Sequence, residues 1–370
     1  MHRLGISIYP SQASLEENIN YIKLASKYGF ERIFTCLISL ENIEKDLDIF
    51  KKIISVANKE GMKVIADITP DVFEKLDLDY KSLKFFKDIG LEGIRLDLGF
   101  SGKEESYMSL NKHNLKIEIN MSNGTKYLEN ILSYKPQVKN IYGCHNFYPH
   151  KYTGLSREHF LKTSKQFKSK GIKTAAFVSS QNADFGPWPV SEGLCTLESH
   201  RYLDIDTQAK DLFNTELIDD VIISNCFASE EELKTLSEVN PNILTLKVDL
   251  FENISDIEKE IVIDNDHFNR GDVSEYVIRS TQSRVKYKDQ SFKPKNTCDI
   301  KKGDILIDND LYNRYSGELQ IALKDRKNDG KTNIIGKVIE QEKFLLDKIA
   351  PWQSFKFKLN SLKPFKRTKN

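Results

Sequence analysis

The sequence predicts an α/β architecture: an eight-stranded β/α barrel of the TIM type, followed by a small β-rich domain. Three observations predict it. Short β-rich runs alternate with helical patterns, as expected of a parallel sheet built from βα units. Several helical patterns end in glycine just before the next strand, at Gly29, Gly61, Gly90 and Gly171, where a left-handed residue stops a helix. The first strand is followed by IYPSQAS, not by the glycine-rich phosphate loop typical of an open doubly wound sheet.

The elements follow in order. Leu4 to Tyr9 is the first strand, and Ile19, Ile22, Leu24, Ala25 and Tyr28 give the next helix an apolar face. Arg32 to Leu37 is the second, followed by the same spacing in Ile49, Ile53, Ile54, Val56 and Ala57. The remaining strands are Lys63 to Thr69, Gly93 to Leu98, Leu115 to Asn120, Asn140 to Phe147, Lys173 to Ser179 and Asp220 to Cys226. Alternation in the fifth sends Ile117 and Ile119 toward the helices and Lys116, Glu118 and Asn120 into the barrel; Arg95 and Asp97 share that inward parity. Beyond about Asn240 the alternation lapses. Val262 to Leu359 reads as strands with turns at Asn269-Arg270-Gly271, Lys302-Gly303-Asp304 and Asn328-Asp329-Gly330. The expected domains are residues 1–242 for the barrel and 243–370 for the β-rich part, a partition that suits 370 residues. The basic tail from Lys363 to Asn370 has no apolar periodicity and is assigned no function.

Composition narrows the function. Lysine plus arginine number 55 against 54 for aspartate plus glutamate, so no excess charge draws the chain to nucleic acid or an anionic membrane. The five cysteines are scattered without a CxxC pair, and Cys36, Cys144 and Cys226 fall in apolar strand-like runs suited to packing. No segment reaches the length of a membrane span and no apolar stretch follows the first basic residues, so the cytoplasm is the expected compartment. No cofactor is expected. No metal is expected either, because His145 and His150 lack a matching set of His, Asp or Glu. The oligomeric state is not legible.

Barrel active sites form at the carboxyl ends of the strands, and there the sequence concentrates polar groups. Strands three, four and five bring Asp67, Asp97 and Glu118 toward one rim. Inward charges must either pair or react, and a structural network of Arg95 with Asp97 and Lys116 with Glu118 is the competing expectation. Strand six ends Cys144-His145-Asn146-Phe147-Tyr148-Pro149-His150, a run of hydrogen-bonding and aromatic groups suited to a sugar. A long connection from Ser180 to Asp206, containing Gly186-Pro187-Trp188-Pro189, carries Glu198 and Arg201, and strand eight adds Asn225. In the second domain Arg270, Arg279, Ser280, Thr281, Ser283 and Arg284 offer guanidinium and hydroxyl groups matched to a phosphate or carboxylate.

The segments LGISIYP, RIFTCL, GIRLDLGF, LKIEINMSN, GCHNFYP with YTGL, and GLCTLE with HR soon after closely resemble the 6-phospho-N-acetylmuramidases. So do IDDVIISN, HFNRGDVSEYVIRST and YSGELQIAL, and the resemblance runs in order from about Leu4 to Trp352. It implies a barrel with a cyclophilin-like C-terminal domain. It also implies an exo-glycosidase that cleaves 6-phospho-N-acetylmuramyl-N-acetylglucosamine to N-acetylmuramic acid 6-phosphate and N-acetylglucosamine during peptidoglycan recycling. The expected partner is therefore a small phosphorylated amino-sugar disaccharide.

A glycosidase needs two carboxyl groups beside the bond, one protonated and one ionised. Asp97 and Glu118 lie on adjacent strands, about 4.8 Å apart, which suits the roughly 5 Å of retention, with Glu118 as acid and Asp97 as nucleophile. Asp67 with Glu118 would be wider and would suit inversion, and attack by the substrate's own acetamido oxygen is a third route. Asn120, His145, Asn146, Tyr148, Glu198, Arg201 and Asn225 are expected to bind the sugar, and Arg270, Arg279, Ser280 and Arg284 the anion. The competing function is a non-catalytic sensor or binding protein for a phosphorylated sugar.

Overall fold

The computed structural model describes residues 2–37, 43–183, 185–187, 189–190 and 192–360, with only the backbone of 43–46. Trp188 and the tail from Lys363 to Asn370 lie outside the described residues. The chain divides after Val239 into two compact units.

The first unit is a closed barrel of eight parallel strands. These are β1 (Arg3–Ile8), β2 (Arg32–Cys36), β3 (Lys63–Ile68), β4 (Gly93–Leu96), β5 (Lys116–Asn120), β6 (Ile141–Cys144), β7 (Lys173–Val178) and β8 (Asp220–Ile223). Each pairs with the next, and β8 returns to β1 with Asp220 opposite Arg3. Between them run α1 (Leu15–Lys27), α2 (Ile43–Lys59), α3 (Pro70–Lys75), α4 (Leu83–Asp88), α5 (Lys103–Ser109), α6 (Tyr127–Ser133), α7 (Arg157–Lys168) and α8 (Ile205–Phe213). A last helix, α9 (Glu230–Ser237), follows β8. Local chemistry sets several of their ends. Ser14 with Glu17 and Ser229 with Glu232 form capping boxes at α1 and α9, and Gly29 and Gly171 leave their helices at φ +77° and +70°.

Strand alternation sorts the barrel side chains into two sets. Ile33, Val64, Ile94, Ile117, Ile119 and Val221 face outward into the core shared with the helices. The inward set is layered. At the amino ends Arg32 Nη1 donates to Asp220 Oδ2 at 2.7 Å, Arg3 donates to the same carboxylate, and Arg32 Nη2 pairs with Glu118. Burial pushes the Asp220 carboxyl up, but Arg32 and Arg3 outweigh it and hold it below its ordinary range. Above this lies an apolar layer of Phe34, Cys144, Ala175, Phe177 and Ile222, with Phe34 edge-on to Phe177 at 5.1 Å.

Several strands stop earlier than the sequence suggests, β4 at Leu96 instead of Leu98 and β6 at Cys144 instead of Phe147. Past Cys144, His145 N still donates to Ala175 O, and Asn146 N then turns to Ser122 Oγ at 2.9 Å. Asp97 and Asn146 therefore sit on turns at the rim.

The second unit is a seven-stranded sheet of β9 (Leu244–Leu250), β10 (His267–Phe268), β11 (Val277–Ser280), β12 (Asp304–Asp308), β13 (Leu319–Ala322), β14 (Thr332–Val338) and β15 (Ser354–Leu359). Their order is β10-β15-β9-β14-β12-β13-β11, and the pairs are antiparallel except β9 with β15. The strands begin earlier than expected. β9 alternates in LTLKVDL and lies inside the sheet, while Val262, expected to open a strand, belongs to helix α10 (Asp256–Ile263), capped by Ser255 and Glu258. Ile261 and Val262 belong there to the core that also holds Leu246, Ile307 and Ile335.

Candidate active site

Register lines up the inward side chains. Cys36, Asp67, Arg95 and Glu118 are successive cross-strand partners from β2 to β5, all on the inward face. The Arg95 guanidinium is the hub: Nη1 donates to Asp67 Oδ2 at 2.9 Å, Nη2 to Asp97 Oδ1 at 3.1 Å, and Nη2 also to Asn146 Oδ1. It lies 6.0 Å from the centroid of Phe34, so the apolar layer forms its floor. Asn120 Nδ2 donates to the same Oδ1 of Asp97 at 3.1 Å. Both contacts fall on that oxygen, which leaves Oδ2 as the one to present to a substrate.

The two aspartates differ in environment. Asp67 is buried, and its Oδ1 finds no partner among the described residues. Burial raises its carboxyl and Arg95 only partly offsets this, so it titrates near 6. Asp97 is more open, its side chain 37% exposed. A proton-holding carboxyl and an accessible one thus share a single guanidinium fork.

Glu118 is not at the rim. It has no exposed surface and is held by Arg32 in the layer at the amino ends of the strands. Its inward parity is as expected, but it precedes the last inward residue of β5, and that last position belongs to Asn120. Geometry therefore moves the candidate pair from Asp97 with Glu118 to Asp97 with Asp67. Lys116, expected to pair with Glu118, donates instead to Asn140 Oδ1 at 2.9 Å.

Among the expected sugar-binding residues, Asn120 and Asn146 stand at the rim and touch the hub. Tyr148 is half-buried close to Ser122, and burial raises its hydroxyl. His145 is enclosed, bonded through Nδ1 to Ser122 Oγ at 3.1 Å and through Nε2 to Ser164 Oγ at 2.9 Å. Burial, with His159 and Arg95 adding to it, lowers it to about 3 and keeps it neutral. It supports the rim from beneath: Ser122 N donates to Asn120 Oδ1 at 2.8 Å and Ser122 Oγ accepts from Asn146 N.

Glu198 and Arg201 build the loops. Arg201, 1% exposed, donates to the carbonyls of Tyr148, His150, Glu192 and Gly193 and grips Glu198 at 2.7 and 2.6 Å. That pairing, with the Tyr152 and Gly154 amides, lowers Glu198 to about 2. Asn225 is also structural, exchanging two bonds with the Ser180 backbone at 2.8 and 2.9 Å. The floor formed by Phe34 and Phe177 was not anticipated, although the spacing of Arg32, Phe34 and Cys36 puts all three on one face. Among the described residues no group of three His, Cys, Asp or Glu side chains is placed to hold a metal ion, and no helix is long and apolar enough to cross a membrane.

In the second unit, Arg279 Nε and Arg284 Nη1 converge on the buried Glu318 at 2.7 and 2.9 Å, and Arg284 stacks over Tyr315 at 5.1 Å. Two guanidiniums on one carboxylate leave one positive charge over. Arg270 pairs instead with Asp272 at 2.6 Å, and Ser280 is buried against His267.

Fold and site together define a two-unit β/α-barrel protein whose strand ends carry a carboxyl–guanidinium–carboxylate centre. Residues 4–238 match the family described as 6-phospho-N-acetylmuramidase, N-terminal, and residues 244–358 its C-terminal counterpart. The chain belongs to the 6-phospho-N-acetylmuramidase family, whose name denotes a glycosidase. The crystal structure of an uncharacterised B. cereus protein is 45% identical, covering 96% of this chain and 99% of that one, with a TM-score of 0.91. A conserved Enterococcus faecalis protein of unknown function is 26% identical over 97% of both chains, with a TM-score of 0.73. No curated protein matches the chain.

Proposed function

We propose that this chain hydrolyses 6-phospho-N-acetylmuramyl-N-acetylglucosamine, releasing N-acetylmuramic acid 6-phosphate and N-acetylglucosamine, and that it does so in the cytoplasm during peptidoglycan recycling. Family membership supplies the substrate class. The observation that carries the chemistry is the pairing on Arg95 of Asp67, which titrates near 6, with the accessible Asp97. In this reading Asp67 gives its proton to the bridging oxygen as the anomeric C–O bond breaks. Asp97 Oδ2 bonds to the anomeric carbon, and a water, deprotonated by the now ionised Asp67, then displaces Asp97. Carboxyls on two nitrogens of one guanidinium lie roughly 5 Å apart, a spacing that supports retention.

The surplus charge on Arg279 and Arg284 supports anion recognition by the second unit. Titration of the full chain with inorganic phosphate checks it: Arg279→Ala and Arg284→Ala should each weaken binding at least tenfold, and unchanged binding would refute that role. For the reaction itself, purified protein is incubated with the phosphorylated disaccharide and free N-acetylglucosamine is measured, with the anomer of the muramyl product read by NMR. Release of the retained anomer is expected. No release at high enzyme loading would instead favour a binding protein for the phosphorylated sugar.

A further inference from the structure

We infer that a pocket adjoining Asp97 is the subsite for the leaving group, shaped for a neutral, N-acylated sugar ring. The inference rests on the glycosidase reading above and extends it to the far side of the scissile bond. The pocket lies where the turns after β4 and β5 face α6 and α7, and Asp97 and Asn120 form the edge it shares with the rim. It encloses about 220 Å³. That is below the roughly 300 to 1,000 Å³ of sites for larger organic ligands, so it suits one ring and not an oligomer.

Its chemistry selects among the parts of the disaccharide. Among the described residues the lining holds no Lys, Arg or His, and its ionisable groups are Asp97 and Tyr127. The Tyr127 hydroxyl donates to Glu105, and burial together with that carboxylate raises it far above its ordinary value, so it stays neutral. A phosphate or lactyl carboxylate here would face Asp97, whose own partner Arg95 is already shared with Asp67. An acetamido group is matched instead: the Asn123 and Gln166 amides and the Thr125 hydroxyl offer donors and acceptors, while Met121, Leu128 and Phe167 give the methyl an apolar wall.

The walls are set before any ligand arrives. Glu105, fully buried, accepts from Gly102 N at 2.7 Å as well as from Phe100 N and Tyr127, tying the turn after β4 to α6. Gly99 is pressed so closely on Tyr127 that a β-carbon there would sit 1.8 Å from the hydroxyl. Across the pocket, His159 Nε2 bonds to Ser122 O at 2.6 Å, and a β-carbon on Gly124 would come within 2.7 Å of that imidazole. A rigid pocket of this kind loses little freedom on binding.

The test uses the full-length protein, Gln166→Ala, which removes an amide, and Thr125→Tyr, which fills the space. kcat/KM is measured for the disaccharide and for a p-nitrophenyl glycoside of the same phosphorylated sugar, which has no acetamido group on its leaving side. Both variants should lower the ratio of disaccharide to aryl-glycoside kcat/KM at least tenfold, through KM for the disaccharide. They should also weaken inhibition by free N-acetylglucosamine to a similar extent. An unchanged ratio in folded variants overturns the inference while leaving the glycosidase reading in place. If the wild type turns over neither substrate, the glycosidase reading fails, and saturation-transfer NMR decides the pocket separately. N-acetylglucosamine should then contact the wild type more strongly than glucose and lose that advantage in Thr125→Tyr; equal signals would overturn the assignment.

Discussion

Asp67 and Asp97 share one arginine yet are assigned opposite tasks, and the difference lies in their surroundings. Asp67 is buried, with one oxygen that finds no partner among the described residues, and burial favours its neutral form. Asp67→Asn should lower kcat on the disaccharide by about 10² to 10⁴-fold, with much less loss on an aryl glycoside whose leaving group needs no proton. Comparable losses on the two substrates would remove Asp67 from the acid role. Because the acid must hold its proton, wild-type activity should fall as pH rises through about 6. The same shift is a statement about stability. A carboxyl whose folded value lies above its unfolded value stabilises most below the unfolded value, near 3.9, and that contribution is lost as pH rises through 6. Wild-type stability should therefore drop by up to about 3 kcal/mol more than that of Asp67→Asn between about pH 4 and 6, measured by urea denaturation. Asp97→Asn, in contrast, should lose activity on both substrates alike, with rescue by azide; retained turnover of the aryl glycoside would rule out nucleophilic attack by Asp97.

The long connection after β7 shows how an element is made from one side chain. Arg201 satisfies four carbonyls and a carboxylate, lacing the turn after β6 to the segment from Glu192 to Glu198. Arg201→Ala leaves these acceptors without their donor. Limited proteolysis between residues 186 and 201 should become at least tenfold faster, and Arg201→Lys should not restore protection, since an ammonium cannot reproduce the planar fork. Protection equal to wild type in either variant would show that the loop is held by something else. The elements themselves were legible where periodicity and glycine punctuation agree, as in β2, β3, β4 and β7. Less legible were their carboxyl ends, because Asp97 and Asn146 take side-chain partners that leave no periodic trace. Inward parity identified Glu118 correctly as a barrel residue, but parity does not give height along the axis. Height separates Glu118, locked to Arg32, from Asn120 at the rim. Loop-building residues such as Glu198, Arg201 and Asn225 look like ligand contacts in a sequence because both roles call for the same polar groups.

Across the whole barrel, Arg3, Arg32, Glu118 and Asp220 join β1, β2, β5 and β8, so one buried network spans strands on opposite sides. Glu118→Gln leaves Arg32 short of a counter-charge and should cost about 3 to 5 kcal/mol in urea denaturation, while activity per folded molecule persists. A stable, folded but inactive Glu118→Gln protein would return the acid role to Glu118. The closing of β1 onto β8 also has a consequence in time. Arg3 and its partner Asp220 are 217 residues apart, so at synthesis rates of about 5 to 20 residues per second the first strand made waits on the order of 10 to 40 seconds for its last neighbour. Throughout that interval the nascent chain presents an unpaired strand edge, and the ribosome's pace sets how long chaperones must shield it.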